Sequence, residues 1–90
     1  MAVYVDSELI PCGRMKMSHL VADTLDELHS MADRLGLKRK WFQTSQSGIP
    51  HYDICASYRE HAIAMGAIEI DRRGMVDFIR RFRSAKPKSA

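Results

Sequence analysis

Thr24-Leu25-Asp26-Glu27-Leu28-His29-Ser30-Met31-Ala32-Asp33-Arg34-Leu35-Gly36 is the stretch from which the fold can be read. Thr24 and Glu27 have the spacing of a capping box, in which the Thr24 hydroxyl accepts the N–H of Glu27 and the Glu27 carboxylate reaches back to the N–H of Thr24. Leu25, Leu28, Ala32 and Leu35 recur at three- and four-residue steps, the period of one helix face, while Asp26, Ser30 and Asp33 point to water. Gly36 supplies the left-handed residue that commonly ends a helix. Next, Lys38-Arg39-Lys40-Trp41-Phe42-Gln43 passes from basic to aromatic and predicts a strand, stopped by the turn-forming residues 44–50.

The same signals recur on both sides. Upstream, Val3-Tyr4-Val5 is a short β-branched and aromatic run ended by Asp6 and Ser7, and it predicts a buried strand. Residues 7–22, with Pro11, Gly13, Met15 and Met17, have no period and read as a long loop. Downstream, Ser57 and Glu60 form a second capping box opening a helix that runs to Met65 and stops at Gly66. Ala67-Ile68-Glu69-Ile70 follows as a strand, and Asp71 caps a third helix with Met75, Phe78, Ile79 and Phe82 as its apolar stripe. Alternating strands and helices predict a small α/β domain of two or three layers, β-α-β-α-β-α, with a short, mostly parallel three-stranded sheet. An α+β arrangement with one antiparallel strand is the alternative. The domain is expected over residues 1–84, with a basic flexible tail over 85–90.

Ninety residues, 46% hydrophobic and 28% charged, suit one globular domain and exclude a disordered or fibrous chain. A chain of this size hides only roughly 60–65% of its unfolded surface, so homodimerisation is open. No run approaches the ~20 apolar residues of a membrane span, and Met1-Ala2-Val3-Tyr4-Val5-Asp6 lacks the start of a signal peptide. A cytoplasmic location without a membrane partner is therefore expected, with Cys12 and Cys55 reduced. Residues 1–70 hold seven basic and nine acidic side chains, whereas residues 71–90 hold seven basic and two acidic. Arg72, Arg73, Arg80, Arg81 and Arg83, with Lys86 and Lys88, are thus candidates for contact with nucleic acid or a partner protein.

In open parallel sheets the ligand lies beyond the carboxyl ends of the strands. That rule selects Asp6, Gln43 and Asp71 at strand ends, Asp23 and Thr24 before the first helix, and His51, Tyr52 and Asp53 before the second, with His19 nearby. Three readings stay open. Helix N-termini would attract a polar, phosphate-bearing small molecule or nucleotide, with Arg59, or Arg14 and Lys16, as cationic partners and Trp41 or Tyr52 stacking on a base. His19, Asp23, His51 and Asp53 would equally bind a divalent metal, as in a metal-dependent hydrolase or nuclease, and are the candidate catalytic residues. In the third reading Asp23 and Asp53 cap helices, His51 packs on Trp41 and Tyr52 fills core. His29 and His61, at the margins of their helix stripes, read as half-buried structural histidines. No nucleophile motif is present, so catalysis is left open.

Val3-Tyr4-Val5-Asp6, His19, Ala22-Asp23, Leu25-Asp26-Glu27-Leu28-His29, Leu35-Gly36, Trp41-Phe42-Gln43, His51-Tyr52-Asp53, Arg59 and Gly66-Ala67 together resemble the bacterial and phage family called domain of unknown function 4031. The resemblance covers residues 2 to about 73. It implies no activity, but it places His19, Asp23, His29, Trp41, Gln43, His51, Tyr52, Asp53 and Arg59 on motif positions and makes His29 a secondary candidate. The chain departs from the family pattern in residues 44–50, which resemble an insertion, and at Tyr58, where a basic residue is usual.

Overall fold

The computed structural model describes residues 2–7, 10–12 and 15–85. Arg14 and the tail residues Lys86 and Lys88, considered above as anion-binding cations, lie outside the described residues. Strand β1 (Val3–Asp6) is followed by β2 (Ile10–Cys12), β3 (Met15–Ala22), helix α1 (Leu25–Leu35), a 3-10 turn (Arg39–Trp41), β4 (Phe42–Thr44), β5 (Pro50–Cys55), α2 (Ala56–Ala64), β6 (Ile68–Ile70) and α3 (Arg72–Ala85). The strands form one mixed sheet in the order β4-β5-β3-β1-β6, with β2 paired to the outer part of β3. The fold is α/β, but the expected three-stranded, mostly parallel sheet is corrected: among the described residues only β1 and β6 pair in parallel, and the other pairs are antiparallel.

Two hairpin-like returns cause the difference. The chain turns straight back from β1 through β2 into β3, and from β4 into β5, and connections that short allow only antiparallel neighbours. The two real crossovers are the ones marked by helix and glycine. α1 carries the chain from β3 over β5 to β4, and α2 carries it from β5 over β3 and β1 to β6.

β3 replaces part of the expected loop over residues 7–22. It is the central strand, so Ser18, Leu20, Val21 and Ala22 are all buried and the alternation of a half-exposed strand is lost. β5 replaces part of the expected turn over 44–50 and the segment before α2. Its signal was present: Tyr52 and Ile54 alternate with His51 and Asp53, and Pro50 stands at the first position, where a strand tolerates proline. The expected strand over 38–43 begins only at Phe42, because residues Arg39–Trp41 coil into the 3-10 turn.

Each face of the sheet has its own core. Val5, Leu20, Ala22, Tyr52 and Ile54 pack with Leu28, Met31 and Ala32 of α1 and Ala62 of α2. On the other face Val21 and Tyr4 meet Phe78, Met75, Ile79 and Phe82 of α3, with Ile49 from the turn before β5. The result is three layers, two helices, sheet and one helix. α1 starts as expected, with Thr24 accepting from the Glu27 N–H at 3.2 Å, but the Glu27 carboxylate accepts from the Thr24 hydroxyl at 2.8 Å instead of from its N–H. Gly36 ends the helix at φ 82°, a left-handed conformation that places its N–H and that of Leu37 on Asp33 and Ala32 carbonyls. Cys55 holds the N-cap position of α2 without a side-chain capping hydrogen bond, and Ser57, the expected cap, lies inside the first turn. α3 extends through Ala85.

Candidate metal centre

The antiparallel register decides which polar residues meet. His19 on β3 lies opposite Asp53 on β5, and Gln43 on β4 lies opposite His51 on β5. Asp6 follows Val5, the partner of Leu20, so it stands beside His19. All five side chains project from the face that carries α3, since their neighbours Val5, Leu20 and Tyr52 belong to the opposite core.

The hydrogen bonds set the state of both imidazoles. His19 Nδ1 lies 2.8 Å from Asp6 Oδ2, and the His19 backbone N–H donates to Asp6 Oδ1 at 3.3 Å. His51 Nδ1 lies 3.0 Å from the Ile49 carbonyl oxygen, which can only accept. Each Nδ1 therefore carries the proton, and in the neutral ring each Nε2 presents a lone pair. Both Nε2 atoms lie 3.6 Å from the same atom, Asp53 Oδ1. The other carboxylate oxygen, Oδ2, accepts from Gln43 Nε2 at 3.1 Å. Oδ1 itself is buried and has no hydrogen-bond partner among the described residues.

With both rings neutral, three electron-pair donors thus converge with no donor hydrogen between them, all within 4.8 Å of one another. Separations of 3.6 Å are too long for hydrogen bonds. They approach the spacing of ligands around one cation, because bonds of about 2.0–2.2 Å to nitrogen and carboxylate oxygen put neighbouring ligand atoms roughly 3–3.5 Å apart. Asp6, the Ile49 carbonyl and Gln43 occupy the positions of outer partners that orient such ligands. In the metal-free chain the Asp6 hydrogen bond is the main cause raising the His19 pKa above 6.5, with burial opposing and the charges of Asp6 and Asp53 adding.

Two recesses adjoin the cluster. One, of about 210 Å³, lies between the sheet, the turn before β5 and α3, with His19, His51, Ser45, Ser47, Met75 and Ile79 on its walls. The other, of about 500 Å³, shares Asp53 and Gln43 with the cluster and is lined further by Met17, Lys40, Trp41 and Tyr58.

The remaining sequence candidates lie elsewhere. β3 runs opposite to β1, so Asp23 comes out at the far end of the sheet, where it accepts from the Ala2 N–H at 2.9 Å and from the Tyr4 hydroxyl. The N-termini of α1 and α2 therefore do not share a crevice. Arg59 is occupied: it donates to the Asp6 carbonyl at 2.9 Å and pairs with Glu69. Tyr52 is fully buried on the opposite face, with its hydroxyl 2.8 Å from His29 Nδ1 and its ring in an aromatic group with Phe42. That burial pushes its phenol pKa up. His61 is exposed on α2, and Asp71 caps α3 through the Gly74 N–H at 2.8 Å. Arg72, Arg73, Arg80, Arg81 and Arg83 are exposed on α3. Cys55 is a free thiol beside the larger recess, its pKa lowered chiefly by the Ser57 hydroxyl. Reasoning from strand ends overlooked the Ser45 and Ser47 hydroxyls and the Ile49 carbonyl, which carry no residue-type signal.

The chain belongs to the family described as Protein of unknown function (DUF4031), whose model matches residues 3–82. No curated protein and no solved structure matches it. No helix among the described residues is long and apolar enough to cross a membrane.

Proposed function

We propose that the chain is a metal-dependent hydrolase that binds one divalent cation through His19 Nε2, His51 Nε2 and Asp53 Oδ1 and acts on a phosphate-bearing substrate. The observation that carries this reading is the buried Asp53 Oδ1, without a hydrogen-bond partner among the described residues and faced at 3.6 Å by two imidazole nitrogens that present lone pairs when their rings are neutral. Leaving a buried acceptor unpaired costs about 1–3 kcal/mol, and a cation at the focus of the three atoms removes that cost. Two histidines and one carboxylate leave coordination positions open, the arrangement of catalytic rather than closed structural sites.

The open positions would face the recess walled by Ser45, Ser47, Met75 and Ile79. His19, His51 and Asp53 would hold a divalent cation there, which would supply a bound water with its pKa lowered toward about 7 and a Lewis acid for a phosphoryl oxygen. Water would lose a proton to solvent, its oxygen would bond to phosphorus, the ester P–O bond would break, and the departing oxygen would take up a proton. Asp6 and the Ile49 carbonyl hold both rings in the binding tautomer throughout. The Ser45 and Ser47 hydroxyls, 3.1 Å apart on the wall of that recess, would contact phosphate oxygens, the role that the sequence reading assigns to Arg59 and the helix N-termini.

Isothermal titration of chelator-treated protein with Zn²⁺ and with Mn²⁺ tests the reading. One ion per chain is expected, with Asp53→Ala and His51→Ala each weakening it by at least about tenfold, the scale of losses at metal-site shells. Absence of binding of either ion, or affinity unchanged in both variants, rejects the centre.

A further inference from the structure

Resting on that centre, we infer that the substrate is a nucleotide unit, with its base in the recess beside Trp41 and its phosphate at the histidine–aspartate cluster. The recess of about 500 Å³ is large enough for a base and its sugar, and Asp53 and Gln43 form a wall common to it and to the cluster. A group seated against Trp41 is therefore a neighbour of whatever occupies the cluster. The walls are of two kinds. Trp41, Tyr58 and Met17 offer flat or polarisable apolar surface, and Trp41 is 39% exposed although it is among the largest side chains available for burial. Lys40 lies on the same wall, and the Lys38 ammonium stands 5.7 Å from the Trp41 ring centroid. Aromatic surface beside cations suits a ligand with a planar base and a negative charge.

The other side of the cluster is also basic. Met75 and Ile79 of α3 wall the smaller recess, and helical spacing puts Arg72 three residues before Met75 and Arg83 four after Ile79, on the flank nearest that recess. Arg80 follows Ile79 directly, and all three arginines are exposed. Cations thus border the cluster on both sides, and the aromatic platform on one. A sugar phosphate without a base would leave the platform unused. Phosphate, base and spacing are the chemistry of a nucleotide, either free or within a single strand.

Trp41 is the one tryptophan of the chain, so its fluorescence reports on this recess alone. Zn²⁺-loaded protein is titrated with thymidine monophosphate, with a short oligothymidylate and with deoxyribose phosphate. Quenching by both base-bearing ligands is expected, with deoxyribose phosphate at least tenfold weaker. Trp41→Ala, followed by calorimetry, should lose thymidine monophosphate binding while keeping its circular dichroism and its uptake of Zn²⁺. An oligothymidylate that binds more tightly than the mononucleotide, with the gain removed in Arg80→Gln/Arg83→Gln, identifies a strand as the source; equal affinities identify the free nucleotide. Equal affinity for base-bearing and base-free phosphates, or no binding of any of them to metal-loaded protein, overturns the inference and leaves the metal centre standing. Failure of Zn²⁺ uptake together with base-dependent quenching removes the metal centre and keeps the recess as a nucleobase site.

Discussion

Asp53 has two oxygens in opposite circumstances: Oδ2 is satisfied by Gln43, and Oδ1 faces two imidazole Nε2 atoms at 3.6 Å, which present lone pairs when the rings are neutral. In the metal-free chain with both rings neutral this arrangement is destabilising, so at a pH above the His19 titration a substitution that ruins a metal site should help the fold. Asp53→Asn removes the charge and can turn an N–H toward an imidazole nitrogen. The expected outcome is unchanged or higher stability without metal, by up to about 1 kcal/mol in urea unfolding, and loss of the stabilisation that added Zn²⁺ brings to the wild type. His19 gives a second prediction. Its folded-state pKa is raised above 6.5, first by the hydrogen bond to Asp6. The folded state therefore binds the proton more tightly than the unfolded one. The resulting stabilisation is fully present below about pH 6.5 and is lost as pH rises through the higher folded value. In metal-free protein, NMR titration of His19 should give a midpoint above that of an unfolded histidine, and Asp6→Asn should bring it down.

At the level of elements, α3 shows where local preference and packing conflict. Gly74 lies in its first turn, where alanine would ordinarily gain about 1 kcal/mol in helix propensity. A Cβ at this position would sit 2.9 Å from Ile70 Cβ and 3.3 Å from Asp71 Oδ1, the atom that caps the Gly74 N–H. Both are anchored, one by strand β6 and one by the cap. Gly74→Ala should therefore bring no gain and should destabilise the chain by up to about 2 kcal/mol, the range of overpacking costs less the propensity gain, as read from the shift in urea midpoint. The start of α1 follows its local signals more simply. Thr24→Ala removes the acceptor for the Glu27 N–H and should cost about 1 kcal/mol in the same assay.

At the level of the whole molecule, α3 depends on one residue more than on any other. Phe78 is 1% exposed, packs in tilted ring contacts on Tyr4 of β1 at 5.4 Å and on Phe82 at 5.7 Å between centroids, and shares a core with Val21 and Ile49. Phe78→Ala should cost about 3–5 kcal/mol, a large part of the total stability of a small domain. Because Met75 and Ile79 wall the recess beside His19 and His51, the same substitution should also loosen that recess. Hydrogen exchange is expected to rise across α3 and residues 45–49 before it rises in α1, whose core lies on the other face.

The sequence by itself determined the local features whose causes are local: the Thr24 cap, the Gly36 stop, the apolar stripe of α3, its Asp71 cap and the short β1 and β6 strands. It also marked His19, His51 and Asp53, because ionisable side chains in a half-apolar chain are conspicuous, and Gln43, because it ends a predicted strand. Tertiary structure alone decided their grouping. β3 is hidden from any periodicity because layers on both faces bury consecutive residues, and without it the direction of every strand but β1 and β6 is misjudged. That direction places Asp6, His19 and Asp53 in one cross-strand row and sends Asp23, seventeen residues beyond Asp6 in the chain, to the opposite end of the sheet. Register is a contact between distant segments. Hydrogen bonding along the strands and the packing of two separate cores set it, and neither is written in the order of neighbouring residues.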